Sequence, residues 1–127
     1  MIIRQPSTID IVKTAALVFP DDVSAQSDLV ADWLQRHTEE AFINFVVVHK
    51  KKVQGWFVGT LDDGHLTIIL FKAETPEILA ALWNKITQTY EIETATLLTN
   101  DPDTLVVLGF EPLYVTMQYT AKGSDSK

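Results

Sequence analysis

The sequence predicts an α+β domain of three layers, with a mixed, mostly antiparallel sheet of about six or seven strands flanked by helices. Three observations predict it. The middle of the chain holds three apolar runs joined by turn signals, the segments before them carry helical spacing, and those after them alternate strand, helix and strand. The chain has 127 residues, 46% of them apolar, which suits one soluble globular domain with its own core.

The elements follow in order. Ile2-Ile3-Arg4-Gln5 is a short β-branched run that Pro6 closes. Pro6-Ser7-Thr8 then opens a helix with Asp10 in its first turn and Ile9, Val12, Lys13, Ala16 and Leu17 at helical spacing, and Phe19-Pro20-Asp21-Asp22 stops it. A second helix begins at Ser24 or Ser27 and runs to Arg36 or His37, with Leu29, Val30, Trp33 and Leu34 on one face. Phe42 to Val48 is a nearly continuous apolar run, His49-Lys50-Lys51-Lys52 is a solvated turn, and Val53 to Leu61 is the next strand. Asp62-Asp63-Gly64 is a hairpin signal, because Asp-Gly tolerates the positive φ of tight turns. It leads into a strand from His65 to Lys72, which completes an antiparallel meander.

Thr75 is placed to cap a third helix, with Pro76 at its first position and Glu77 in its first turn. That helix extends to Tyr90, and Ile78, Leu79, Leu82, Trp83 and Ile86 form its core stripe. Glu93 to Thr99 reads as a strand, Thr104 to Leu108 as a short helix that Gly109 ends, and Leu113 to Thr120 as a final strand. The domain is expected to span 1–121, with 122–127 as a disordered polar tail.

Composition excludes several classes of function. A net charge of -7 argues against nucleic acid and anionic membrane as partners, since both reward a basic surface. The absence of cysteine removes disulfides, thiolate metal sites and cysteine nucleophiles. No apolar run reaches the ~18 residues of a membrane span, and Met1-Ile-Ile-Arg-Gln-Pro6 lacks the layout of a secretion signal, so a soluble cytoplasmic protein is expected. His37, His49 and His65 lack the spacing that gathers metal ligands, and no metal site is assigned.

Two motifs stand at matching places in this order of elements. Lys52-Val53-Gln54-Gly55-Trp56-Phe57-Val58-Gly59 looks like the "dGkivGf" entry to the second meander strand of the GNAT (Gcn5-related N-acetyltransferase) superfamily. Leu108-Gly109-Phe110-Glu111-Pro112 looks like the "lGFe" element after its last helix. With them, almost the whole chain resembles a divergent GNAT-like domain. The resemblance implies transfer of an acetyl group from acetyl-CoA to an amine. It implies a cofactor seat where the strand at Leu70, Phe71 and Lys72 meets the helix capped by Thr75.

The residues depart from the family at that seat. Its members carry an Arg/Gln-x-x-Gly-x-Gly/Ala loop whose backbone N–H groups hold the pyrophosphate, and glycine lets the phosphates approach. This chain has Lys72-Ala-Glu-Thr-Pro-Glu77 instead, with no glycine between Gly64 and Gly109. Pro76 lacks an N–H, and Glu74 and Glu77 bring negative charge where phosphate would sit. The tyrosine that many members use to protonate the leaving thiolate corresponds to Leu105, and no catalytic residue is assigned.

Two readings follow. One is a GNAT-fold domain with weak or no acetyl-CoA-dependent activity that acts through protein association, with self-association or a protein partner, a virion or assembly role being one version. The other is a functional N-acetyltransferase with a rebuilt cofactor loop and acetyl-CoA as its cofactor. Trp56 is the aromatic residue to watch, since its strand borders the acceptor cleft in related proteins.

Overall fold

The structure, a computed structural model, describes residues 1–97 and 102–111. Its elements are β1 (Ile2–Arg4), α1 (Thr8–Val18), α2 (Val23–Arg36), β2 (Phe42–His49), β3 (Lys52–Asp62), β4 (His65–Ala73), α3 (Pro76–Thr89), β5 (Thr94–Leu97) and α4 (Pro102–Val106). The sheet has the order β1-β2-β3-β4-β5, antiparallel through β4 and parallel between β4 and β5. Five strands are thus found among the described residues, against the six or seven expected. The expected final strand, Leu113 to Thr120, and the tail lie outside the described residues.

Two tight turns build the meander. Lys50 and Lys51 connect β2 to β3 with φ of 50° and 65°, and Asp63 and Gly64 connect β3 to β4 with φ of 50° and 82°. Positive φ at both central positions gives a turn whose twist matches that of the flanking strands. The expected turns are therefore both present, and the first sets two lysines in a conformation that sequence alone did not point to.

The two faces of the sheet carry different layers. Alternate residues of the strands, Ile43, Phe45, Val47, Phe57, Leu66, Ile68 and Phe71, join Leu79, Leu82 and Ile86 of α3 and Leu105 of α4 in the main core. On the opposite face Phe42 and Val58 meet Ile11 of α1 and Leu29, Val30 and Trp33 of α2. Burying these apolar groups supplies the main driving force, at roughly 25 cal/mol per Å² removed from water.

The helix boundaries follow local chemistry. Ser7 caps α1 in a capping box with Asp10, Asp22 caps α2 by accepting from the N–H of Ala25 at 3.0 Å, and Thr75 caps α3 with Pro76 at its start. The cap of α2 is thus Asp22 rather than a serine, because its carboxylate reaches the exposed amide first. Helix α4 begins at Pro102, two residues before the expected Thr104, since proline is suited to a first helical position; Gly109 follows with φ 96°. In α2 the expected apolar face loses Leu34, which is exposed. In α1 the buried residues are Asp10, Ile11, Thr14 and Ala15, while Ile9, Val12 and Leu17 are 67%, 52% and 51% exposed.

Candidate functional site

The strand-to-helix junction after β4 is built from very little chain. Only Glu74 and Thr75 separate Ala73, the last residue of β4, from Pro76, the first of α3. Of the six residues that stand in place of the Arg/Gln-x-x-Gly-x-Gly/Ala pattern, Lys72 and Ala73 end β4 and Pro76 and Glu77 begin α3. The N–H of Glu74 donates to Gln54 O at 2.8 Å and extends the pairing of β3 with β4, while Ile78 N–H donates to Thr75 Oγ1 at 3.2 Å. Pro76 has no hydrogen to give. Of the backbone groups at this helix start, Ile78 N–H is thus capped and Pro76 offers none.

The charge at this junction is also partly internal. Lys52 Nζ lies 3.1 Å from Glu74 Oε1, so the carboxylate expected to repel phosphate is paired with the lysine that opens β3. Glu77 is in the first turn of α3, where it complements the helix dipole.

The four residues expected at a cofactor seat stand in different surroundings. Phe71 is buried in the α3 core, edge-on to Phe57 with ring centroids 5.3 Å apart and 5.8 Å from Trp83. Lys72 is exposed, Thr75 is occupied as a cap, and Leu70 is half-buried on the other face, in the register row Asn44–Val58–Leu70. Leu105, where the resemblance implies an acid, is buried in the main core.

The pairing of β4 with β5 ends at Ile68 and Leu97, yet β4 runs on to Ala73, so its far half has no neighbour on that side among the described residues. A bulge sits at the same place. Val58 pairs with Leu70 and Gly59 with Ile68, which leaves Ile69 as the extra residue, and it is exposed. At the other end His65 fastens the parallel pair, with Nδ1 2.6 Å from Thr94 Oγ1 and Nε2 3.2 Å from Thr96 Oγ1.

A hollow lies on the opposite face, between α1, α2 and the sheet. Its volume is about 40 Å³, and it is lined mainly by apolar side chains of Ile11, Leu29, Phe42, Val46, Val58 and Leu70. Thr14, Asp32, Trp33, Asn44 and Trp56 are the lining residues that carry polar groups. Asn44 is buried and accepts from Trp33 Nε1 at 3.0 Å, while Trp56 Nε1 is buried with no hydrogen-bond partner. The interest in Trp56 came from the resemblance; the unpartnered indole and the role of Asn44 had no signal in the sequence. Among the described residues no cluster of side chains is arranged to hold a metal ion, and no helix is long and apolar enough to cross a membrane.

Neither a family model nor a curated protein matches the chain. Solved structures do. A possible acetyltransferase from Clostridium difficile 630 is similar with a TM-score of 0.67 at 18% identity, over 94% of this chain and 97% of that one. A Trypanosoma brucei acetyltransferase aligns with a TM-score of 0.67 at 12% identity, over 94% of this chain and 99% of that one. A predicted acetyltransferase from Clostridium acetobutylicum, solved with acetyl-CoA, gives 0.64 at 10% identity, over 94% and 95%. At these identities the likeness speaks for architecture. With helices on both faces, the antiparallel meander and the crossover to a parallel fifth strand, the chain has a GNAT-like fold.

Proposed function

We propose that this is a GNAT-fold domain that does not hold acetyl-CoA in the family's manner and acts by associating with protein. The observation that carries the reading is the connection of Glu74 and Thr75 alone between β4 and α3. A pyrophosphate is held by several convergent backbone N–H groups at a helix start. Here one position is proline, one amide is capped by Thr75 and one is committed to the sheet. The outward face of α1, with Ile9, Val12 and Leu17 exposed, supports association, because large apolar side chains grouped on one helix face favour burial against a partner.

Calorimetric titration with acetyl-CoA tests this directly. No saturable heat at millimolar cofactor is expected, and tight binding that places the cofactor at the start of α3 would overturn the reading. In parallel, sedimentation of the free chain and capture experiments are expected to reveal a self-assembled or partnered species. A clean monomer with no captured partner would count against association.

Acetyl transfer to an amine, with acetyl-CoA as cofactor, is the second reading. It is favoured by the nearly full-length likeness to solved acetyltransferases. Under it, Leu70, Phe71, Lys72 and Thr75 mark the cofactor's seat by position, and turnover of acetyl-CoA with an amine acceptor is the result that would establish it.

A further inference from the structure

The charges of this chain are sorted along the strand direction. Where β2 turns into β3, His49 pairs with Lys52 across Lys50 and Lys51, and all four are exposed. Lys13 of α1 reaches the same turn, its Nζ donating to Lys51 O at 3.1 Å. Lys72, near the end of β4 and in register with Trp56, is exposed on the same half of the sheet. The carboxylates here are Glu74, 3.1 Å from Lys52, and Glu77 in the first turn of α3. Cations are therefore in excess at this end.

The opposite end is acidic. Asp62 pairs with His65 at the turn from β3 to β4, with Asp63 within the turn. Glu93 lies against that turn: its N–H donates to Gly64 O at 2.8 Å, and a Cβ on Gly64 would meet its Cδ at 3.1 Å. Glu39 and Glu40 stand just before β2, whose Phe42 pairs with Thr60, and Glu91 follows the end of α3. All of these carboxylates are exposed. Of the described cations on the elements leading here, Arg36 is 3.4 Å from Asp32, and Lys85 lies a turn before the end of α3.

The 11 residues of β3 join the two ends and, at about 3.3 Å each, hold them about 35 Å apart. That is several times the Debye length of about 8 Å at physiological ionic strength. The ends therefore cannot neutralise each other within one molecule, but each finds its complement on a second copy. The net charge of -7 repels copies at long range, while contact is decided by the charges within a Debye length. A two-fold pairing of like ends would set lysine against lysine or carboxylate against carboxylate. The complementary contact is heterologous.

We propose that copies of this chain associate head to tail, the lysine turn of one seated on the acidic hairpin end of the next. This rests on the reading of association given above and names its partner and surface. Ile2, 59% exposed and in register with Val48, adds an apolar side chain beside the lysine turn. A heterologous contact that does not close into a ring repeats, so assembly does not stop at two copies. A contact made by exposed charges weakens as salt rises.

The test is sedimentation velocity of the full chain over a concentration series at about 0.1 M and about 1 M salt, where the Debye length falls from about 10 Å to about 3 Å. At the lower salt the weight-average mass is expected to rise with concentration past that of a dimer, and at the higher salt to return to the monomer's. Lys50→Glu/Lys51→Glu spoils one end and Glu40→Lys/Asp62→Lys the other, so each variant alone is expected to be monomeric. Mixed in equal amounts, the intact lysine end of the second meets the intact acidic end of the first, and the mass is expected to rise to about twice the monomer's or more. That recovery also shows both variants to be folded. A wild-type mass that stops at a dimer or ignores salt, or variants that assemble as the wild type does, would overturn the proposal and leave association standing through another surface, such as the exposed face of α1. A wild-type monomer under all conditions would overturn it too, and with no captured protein partner the association reading would fall with it.

Discussion

Arg4, the last residue of β1, forms an ion pair with Asp10 in the first turn of α1 and fixes the angle at which the chain leaves the sheet. The second contact of the fork, Arg4 Nη2 to Asp10 Oδ1, is 3.2 Å, and the carboxylate also accepts from the N–H of Ser7 at 2.8 Å and from its hydroxyl at 2.9 Å. Burial alone would raise the Asp10 pKa. The hydrogen bonds from Arg4 and Ser7 and the guanidinium charge outweigh it, and the carboxyl is held below its usual value. A depressed folded-state pKa contributes stability that is present above the unfolded value of about 3.9 and is lost as pH falls through the folded one. Urea melts should therefore show wild-type stability dropping below about pH 4, and Asp10→Asn should cost about 1–2 kcal/mol at neutral pH while flattening that acid limb.

Gly59 lies opposite the bulge of β4, in a space tight for a side chain. A Cβ there would meet Thr67 O at 3.0 Å, Leu66 Cδ1 at 3.1 Å and Phe57 Cε1 at 3.2 Å. The first is backbone and cannot rotate away. Gly59→Ala is expected to cost about 1–3 kcal/mol, measured by chemical denaturation.

Lys51 offers a change in the other direction. Its φ of 65° is a conformation that side-chain-bearing residues adopt at a cost. Lys13 Nζ donates to the Lys51 carbonyl at 3.1 Å, a contact that survives loss of the side chain. Lys51→Gly should raise the denaturant midpoint, by up to about 1 kcal/mol in stability.

Leu105 separates a packing role from a catalytic one. It is buried in the main core beside α3, so Leu105→Ala is expected to cost about 2–5 kcal/mol. Leu105→Tyr, which puts a hydroxyl where the resemblance implies an acid, should overpack the core by about 1–3 kcal/mol and leave acetyl-CoA turnover at background.

Local chemistry made much of the fold legible. Thr75-Pro76, Asp63-Gly64 and Ser7 announce cap, turn and cap within a few residues, and each structure appears where its residues stand. Helix orientation was harder to read. Ile9, Val12 and Leu17 have helical spacing, but so do Ile11 and Ala15, and only tertiary packing decides that the second set faces the sheet. The candidate site was least legible, because Asn44, Trp56 and Leu70 come from three strands and share a face only through a register that includes the bulge at Ile69. No pattern along one strand encodes that.

The two tight turns have a consequence in time as well as in space. Closing β2 on β3 and β3 on β4 needs only two-residue loops, whereas β5 can pair with β4 only after the whole of α3 has been laid across the sheet. Loop closure costs grow with the length closed, and local contacts form fastest. We therefore expect the meander to be the folding nucleus: mutations in it, such as Gly59→Ala, should slow refolding, while loss of the His65 contacts to Thr94 and Thr96 should mainly hasten unfolding. Equal effects on both limbs of the chevron would place the parallel strand in the nucleus instead.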